Sequence, residues 1–160
     1  MKFKVGDRVI YPHHGAAEIT SRERRNEFGK TCDYLVLKTL HGDMDLKVPA
    51  ETAAAVGMRP PIDTDDVEDL FELLAKKDIR EPANWSRRFK NHQEKLKSGD
   101  IYQVAEVVRN LALRENAKGL SAGEKSMLEK SRQILVSELS ISMDVTEDEA
   151  QRQVELRLAD

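Results

Sequence analysis

The chain has 160 residues, a formal net charge of −3 and a hydrophobic fraction of 39%. This length fits one ordinary domain or two small ones. No apolar run approaches the roughly 18 residues that a transmembrane helix needs, and the N-terminus lacks the hydrophobic region of a signal peptide. Because Cys32 is the single cysteine, an internal disulfide is excluded. We therefore expect a soluble, cytoplasmic protein.

The charges are unevenly distributed along the chain. Residues 60–75 carry 6 acidic side chains and no basic one, whereas residues 76–130 carry 13 Lys and Arg against 8 Asp and Glu. A basic block of this kind predicts weak binding of phosphates. The sequence pI near 5.9 argues against a protein that binds DNA tightly on its own.

Residues 1–56 are predicted to form β structure. Apolar side chains alternate along the first strand, at Phe3, Val5, Val9 and Tyr11. A short strand beginning at Ala17 leads into the charged segment 22–27, and Phe28-Gly29-Lys30 is typical of a hairpin turn because Gly29 can adopt a positive φ. Four or five short strands in this length predict a small barrel of the SH3 or Tudor kind.

Residues 57–62 contain a glycine and two adjacent prolines, which predicts a stiff connector. Residues 63–160 are predicted to form a bundle of about five helices, because apolar residues there recur with helical spacing. The predicted N-cap residues are Asp63 or Thr64, Asn84, Asp100, Ser121 and Thr146, the last two opening capping boxes. The predicted class is therefore α+β, with a Tudor-like barrel followed by an all-α domain.

No combination of residues in the sequence predicts catalysis. His13 and His14 are adjacent, so in a strand they would point to opposite sides and could not share a metal ion. Asp43 and Asp45 could lie on one face of a strand, but solvated hairpin carboxylates often do, and Cys32 has no evident base. We predict no catalytic residue, no metal, no cofactor and no small-molecule substrate.

Two predicted helices begin with basic residues, where the helix dipole favours acidic ones. Trp85, Arg87 and Arg88 occupy the first turn after Asn84, and Lys125 lies one turn into the helix capped by Ser121. Cations and free N–H groups at a helix N-terminus can bind phosphate. Trp85 itself has two interpretations, since it could continue an apolar stripe of its helix or be an exposed ring that stacks on bases.

Four stretches of the chain carry a recognisable family pattern. They are Phe3-Lys4-Val5-Gly6-Asp7 with Val9 and Tyr11-Pro12-His13-His14-Gly15; Glu81-Pro82 with Asn84-Trp85-Ser86-Arg87-Arg88; Val104-Ala105-Glu106-Val107-Val108-Arg109; and Gly119-Leu120-Ser121-Ala122-Gly123-Glu124-Lys125. In their order and spacing the chain resembles the CarD/CdnL family of bacterial transcription regulators along almost its whole length, and the actinobacterial members in particular. Only the last 15 or so residues show no pattern that we can assign to the family.

The resemblance implies two modules and no catalytic step. In the family, an N-terminal Tudor-like domain docks on the RNA polymerase β subunit through a strand edge and basic residues. The matching positions here are Arg25 and Lys47. We expect Arg at the position of Lys47, so this chain keeps the positive charge there but lacks the planar guanidinium.

The resemblance also implies that the helical module contacts promoter DNA at the upstream edge of the transcription bubble. Trp85 matches the residue that wedges into the minor groove, and Arg87, Lys90 and Lys125 match basic residues that contact the DNA backbone. We add Arg88, from the same motif, to the predicted DNA contacts. The chain would then stabilise the open promoter complex as a monomer, largely independently of sequence.

A second interpretation stays open at this point. The chain could be a protein–protein adaptor, in which the barrel binds polymerase or another protein and the helical bundle binds a second protein. Trp85 would then be buried or part of a protein interface, so its exposure helps to separate the two interpretations.

Overall fold

The computed structural model describes residues 3–12, 14–40 and 44–159. The chain divides into two units, Met1–Pro61 and Ile62–Asp160. The first holds all the strands and the second all the helices of the described residues, so the predicted α+β class is confirmed. The predictions for His13 and Asp43 lie outside the described residues.

Four antiparallel strands form a half-barrel sheet in the order β1-β2-β3-β4. Their bounds are β1 Arg8–Tyr11, β2 Gly15–Glu27, β3 Lys30–Thr39 and β4 Asp45–Pro49. β2 is longer than predicted, because the charged segment 22–27 pairs with β3 along its whole length. Both faces of this part of the ribbon are largely exposed, and it therefore lacks the apolar alternation by which strands are recognised.

The predicted hairpin turn joins β2 to β3. Glu27 pairs with Lys30, which leaves a two-residue loop of Phe28 and Gly29. Both residues have positive φ, 52° and 77° respectively, as in the type I′ turn that suits the twist of a hairpin. Phe28 is fully exposed in this left-handed conformation, which a non-glycine residue adopts only at some cost.

The core of the β unit extends beyond the four strands. Its buried strand residues are Val9, Ala17, Ile19, Leu35, Leu37 and Val48. Met58, from the segment predicted as a connector, is 3% exposed in the same core. Arg59 extends the sheet, since its backbone exchanges hydrogen bonds of 2.7 and 3.1 Å with Ile10. Gly57 permits this path, because a Cβ there would lie 2.8 Å from Cγ of Pro12.

Five helices form the second unit. Their bounds are α1 Thr64–Ala75, α2 Trp85–Lys97, α3 Ile101–Lys118, α4 Ala122–Met143 and α5 Glu147–Leu158. Every helix begins after a predicted N-cap, and Asp63 rather than Thr64 caps the first. Ser121 and Glu124 form the predicted capping box of α4. The helix boundaries were predictable because these caps act through contacts within one turn.

The core of the helical unit is apolar and centres on α3. Its largest fully buried apolar side chains are Leu70, Leu74, Leu111, Leu135 and Leu139. The inward face of α2 differs, because its two buried residues are Arg88 and His92. Phe89 and Leu96, with which Trp85 could have formed an apolar stripe, pack against the core but stay partly exposed.

Candidate nucleic-acid interface

Trp85 is the first residue of α2 and is half exposed. Its N-cap, Asn84, accepts a hydrogen bond of 3.0 Å from the backbone N–H of Arg87, which holds the first turn. The indole is 44% exposed and stacks on Phe89, with ring centroids 4.9 Å apart and planes 16° from parallel. Trp85 is therefore neither a buried core residue nor a fully exposed ring, because one part of the indole packs on its own helix and another faces solvent.

The indole is also bound to a second helix. Its Nε1–H donates a 3.1 Å hydrogen bond to Oε1 of Glu124, in the first turn of α4. The same oxygen accepts from the backbone N–H and the hydroxyl of Ser121, at 3.2 and 3.0 Å. The N-termini of α2 and α4 therefore lie side by side, joined by a carboxylate that is 3% exposed.

Arg88 faces this carboxylate from the interior. Its side chain is 2% exposed, with Nε 3.6 Å from Oε2 of Glu124. Its Nη1 donates to the carbonyl oxygens of Pro82 and Ala83, at 3.4 Å each. The prediction that Arg88 contacts DNA does not fit this burial, so we remove Arg88 from the set. Its neighbour Arg87 is exposed, because consecutive helical residues point about 100° apart.

Glu124 is held in its charged form. Burial raises its pKa, but the hydrogen bonds from Ser121 and Trp85 and the positive charge of Arg88 outweigh that effect, so the pKa lies below the ordinary carboxyl value. Arg114 of α3 adds a further positive charge, with Nε 3.8 Å from Oε2. One carboxylate thus connects α2, α3 and α4 beneath the exposed indole.

Replacing Arg88 by leucine should lower the free energy of unfolding by about 3 kcal/mol, because the change removes one partner of a buried ion pair. Arg87→Leu is the matched control on the same helix and should change stability by less than about 0.5 kcal/mol. Urea denaturation followed by circular dichroism measures both. Equal effects of the two substitutions would contradict the structural role of Arg88.

The three predicted phosphate contacts lie on the two helices that hold the indole and its hydrogen-bond partner. Arg87 and Lys90 lie on α2 and Lys125 on α4, all exposed. None of them forms an ion pair within residues 3–12, 14–40 and 44–159. Two adjacent helix N-termini with unpaired cations and a half-exposed aromatic ring form a surface that could receive a nucleic-acid backbone.

The residues predicted to bind polymerase lie on the β unit. Nη2 of Arg25 is 3.4 Å from Oε2 of Glu23, and Nζ of Lys47 is 3.3 Å from the same oxygen. The guanidinium of Arg25 also lies over the ring of Tyr34, 5.8 Å from its centroid. Glu23 therefore brings the two predicted contacts together on one face of the sheet, although they belong to β2 and β4.

One edge of β2 is open beside this face. β1 pairs only with Gly15–Glu18 of β2, whereas β3 pairs with the strand as far as Glu27. Beyond Ile19, the edge of β2 opposite β3 pairs with no strand in the part of the chain that the structure describes. An open strand edge is a template for the addition of a partner strand.

A polar contact on the buried face of α2 was also not predicted. His92 is 2% exposed, and its Nε2 lies 2.9 Å from Oε2 of Glu81, just before the Pro82 turn. Burial raises the pKa of Glu81, but the hydrogen bond and charge of His92 outweigh it and lower that pKa. Glu81-Pro82 belongs to one of the stretches that carry the family pattern. The partner of Glu81 on α2, however, could be identified only from the fold.

Cys32 and His14 are other candidate residues within the described part of the chain. No group of three metal-binding side chains occurs among the described residues. Cys32 is exposed and free, and the ring of His14 lies 5.5 Å from that of Tyr11. In the same part of the chain, every helix is too short or too polar to cross a membrane.

Comparisons with known proteins identify the family. Two family models match the sequence, the CarD-like/TRCF RID domain over residues 3–62 and the CarD C-terminal domain over residues 69–155. YdeB, a candidate transcription factor of Bacillus subtilis (strain 168), is 30% identical over 145 residues, which cover 91% of this chain and 95% of YdeB. The chain belongs to the CarD-like family of transcription factors. This CarD-like protein is a transcription regulator and not an enzyme.

Proposed function

We propose that this CarD-like protein docks on the RNA polymerase β subunit and stabilises the open promoter complex with Trp85 as a minor-groove wedge. The observation that carries the DNA half of the proposal is the half-exposed indole at the start of α2. The exposed Arg87 and Lys90 lie on the same helix, and the exposed Lys125 follows Glu124, which binds the indole, on α4. Exposed cations on these two helices that form no ion pair with the described residues favour a partner that carries phosphates, and this argues against a helical bundle that binds a second protein. The wedge acts at the upstream edge of the bubble.

The docking half rests on the β unit. Arg25 and Lys47 share one face of the sheet through Glu23, beside the open edge of β2. A strand of the β subunit would add to that edge by main-chain hydrogen bonds, while the basic side chains would pair with acidic residues. Phe28, fully exposed at the tip of the same ribbon, would extend this contact.

Docking also explains how a protein with a net charge of −3 can bind DNA through a small cationic surface. Tethering to polymerase raises the local concentration of the helical unit near the DNA to the millimolar range that short linkers give. Weak contacts to the DNA backbone are then sufficient for the helical unit to bind. Because such contacts carry no base information, the protein would act at many promoters.

Stabilisation follows from differential affinity. A wedge fits DNA that is already partly unstacked, as at the edge of the bubble, and fits closed duplex poorly. Binding therefore shifts the equilibrium toward the open complex by the ratio of the two affinities. A difference of about 1.4 kcal/mol is enough for a tenfold shift.

The direct test is the kinetics of promoter opening with purified polymerase. Adding the protein should prolong the lifetime of open complexes challenged with a competitor, and it should do so on promoters of unrelated sequence. A lifetime that stays the same on every promoter would refute the proposal. An effect confined to one promoter sequence would refute the sequence-independent mechanism.

A further inference from the structure

The indole of Trp85 is held by contacts on two helices. Phe89 stacks against it from α2, and Glu124 accepts its N–H from α4. The Phe89 ring itself lies close to α4, since a Cβ at Gly123 would be 3.4 Å from it. The first turn of α4 therefore supports the wedge both through the stacking partner and through the hydrogen bond.

Glu124 is a rigid support, because several groups fix both of its oxygens. Oε1 accepts from Ser121 and Trp85, and Oε2 faces Arg88 and Arg114. The side chain is 3% exposed, so water does not compete strongly for these contacts. An indole bound to such a group keeps one orientation in the free protein.

We propose that Glu124 is a positioning residue that orients the Trp85 indole for insertion and sets its distance from Lys125. The inference rests on the proposed wedge function. Lys125 follows Glu124 directly on α4, so the hydrogen bond links the wedge to a phosphate-binding side chain on a different helix. A side chain already fixed in its bound orientation loses less freedom on binding, and this advantage is worth roughly a two- to tenfold gain in affinity.

Two conservative substitutions separate this role from a merely electrostatic one. Glu124→Gln keeps an oxygen at the reach of the indole N–H and of the Ser121 N–H but removes the negative charge. Glu124→Asp keeps the charge but shortens the side chain by one methylene, which withdraws the acceptor. A positioning role predicts that Gln retains wedge function and Asp loses it, whereas a role limited to the ion pairs predicts the reverse.

The expected result is a two- to tenfold shorter open-complex lifetime with Glu124→Asp and a lifetime longer than that of the Asp variant with Glu124→Gln, which should nevertheless be less stable than the wild type because buried Arg88 loses its charge partner. Because Trp85 is the single tryptophan, its fluorescence anisotropy decay should show a more mobile indole in the Asp variant. Trp85→Phe keeps the stacked ring but lacks the N–H. In that background Glu124→Asp should shorten the lifetime no further.

Three outcomes would overturn the inference: a longer lifetime with Asp than with Gln, an equally rigid indole in both variants, or an undiminished Asp effect in the Trp85→Phe background. A wild-type protein that leaves the lifetime unchanged would instead refute the proposed function itself. Circular dichroism checks that each variant folds. If the Asp variant does not fold, the Gln variant alone decides, because lost wedge activity with an indole as rigid as in the wild type, or full activity with a mobile indole, contradicts the inference.

Discussion

Trp85→Ala is expected to shorten the lifetime of open promoter complexes by about tenfold while leaving the affinity for polymerase unchanged. The substitution removes the ring that stacks at the edge of the bubble, and such stacking is worth about 1–3 kcal/mol per base. Docking is spared because the β unit, Met1–Pro61, is untouched. Competitor-challenged open-complex decay measures the first effect, and a binding titration with the β-subunit lobe measures the second.

Leu156→Ala is the matched control for that experiment. Leu156 is another exposed apolar side chain of the helical unit, 52% exposed on α5, and it lies on no proposed contact surface. Its removal should leave the lifetime as it is in the wild type. A Trp85→Ala lifetime equal to that of the control would rule out the wedge, even if the protein still binds polymerase.

Arg25→Glu is expected to weaken binding to the isolated β-subunit lobe by at least about tenfold. The substitution replaces a cation with an anion beside Glu23 and Glu27, with which Arg25 forms ion pairs at 3.4 and 4.0 Å. Three carboxylates on one face would repel an acidic partner, and juxtaposed like charges at an interface cost several kcal/mol. Titration of the lobe with the two proteins measures the difference.

Arg24→Glu provides the control on the same strand. Arg24 points to the opposite face of β2, where it pairs with Asp33 at 3.2 Å, and its side chain is 75% exposed. The same charge change there should leave docking within about twofold, a difference of a few tenths of a kcal/mol. If both variants bind as well as the wild type, the docking surface lies elsewhere; if both lose binding equally, net charge rather than this face governs the interaction.

The two predictions are linked by the tether. At low protein concentration Arg25→Glu should also lose the effect on open-complex lifetime, because the helical unit is no longer held near the DNA. Raising the concentration should restore that effect for Arg25→Glu but not for Trp85→Ala. This difference separates a docking defect from a wedge defect in one assay.

Local features of the sequence determine most of the fold. Asp63, Asn84, Asp100, Ser121 and Thr146 each accept a backbone N–H of their own first helical turn, so the starts of all five helices were readable from short motifs. The hairpin turn at Phe28-Gly29 was also predictable from a short motif, because Gly29 can adopt a positive φ. The extent of β2 was not, because its charged half is held by pairing with β3 rather than by burial.

The candidate site depends on contacts that no local pattern contains. Arg87 and Arg88 are adjacent arginines, yet Arg87 is exposed and Arg88 is buried, with only 2% of its surface accessible. The difference arises because Glu124, 36 positions further along the chain, supplies the charge that makes burial of Arg88 tolerable. The same carboxylate accepts the indole N–H of Trp85.

The sequence alone was therefore sufficient for the two-part architecture, the family pattern and the candidate cations at two helix starts. It left open whether Trp85 is a core residue, because an aromatic ring at helical spacing fits either a buried or an exposed face. Only the tertiary structure, by placing the N-terminus of α4 beside that of α2, made the indole both anchored and accessible. Both α2 and α4 pack against α3, and one-turn motifs do not encode this packing between distant segments.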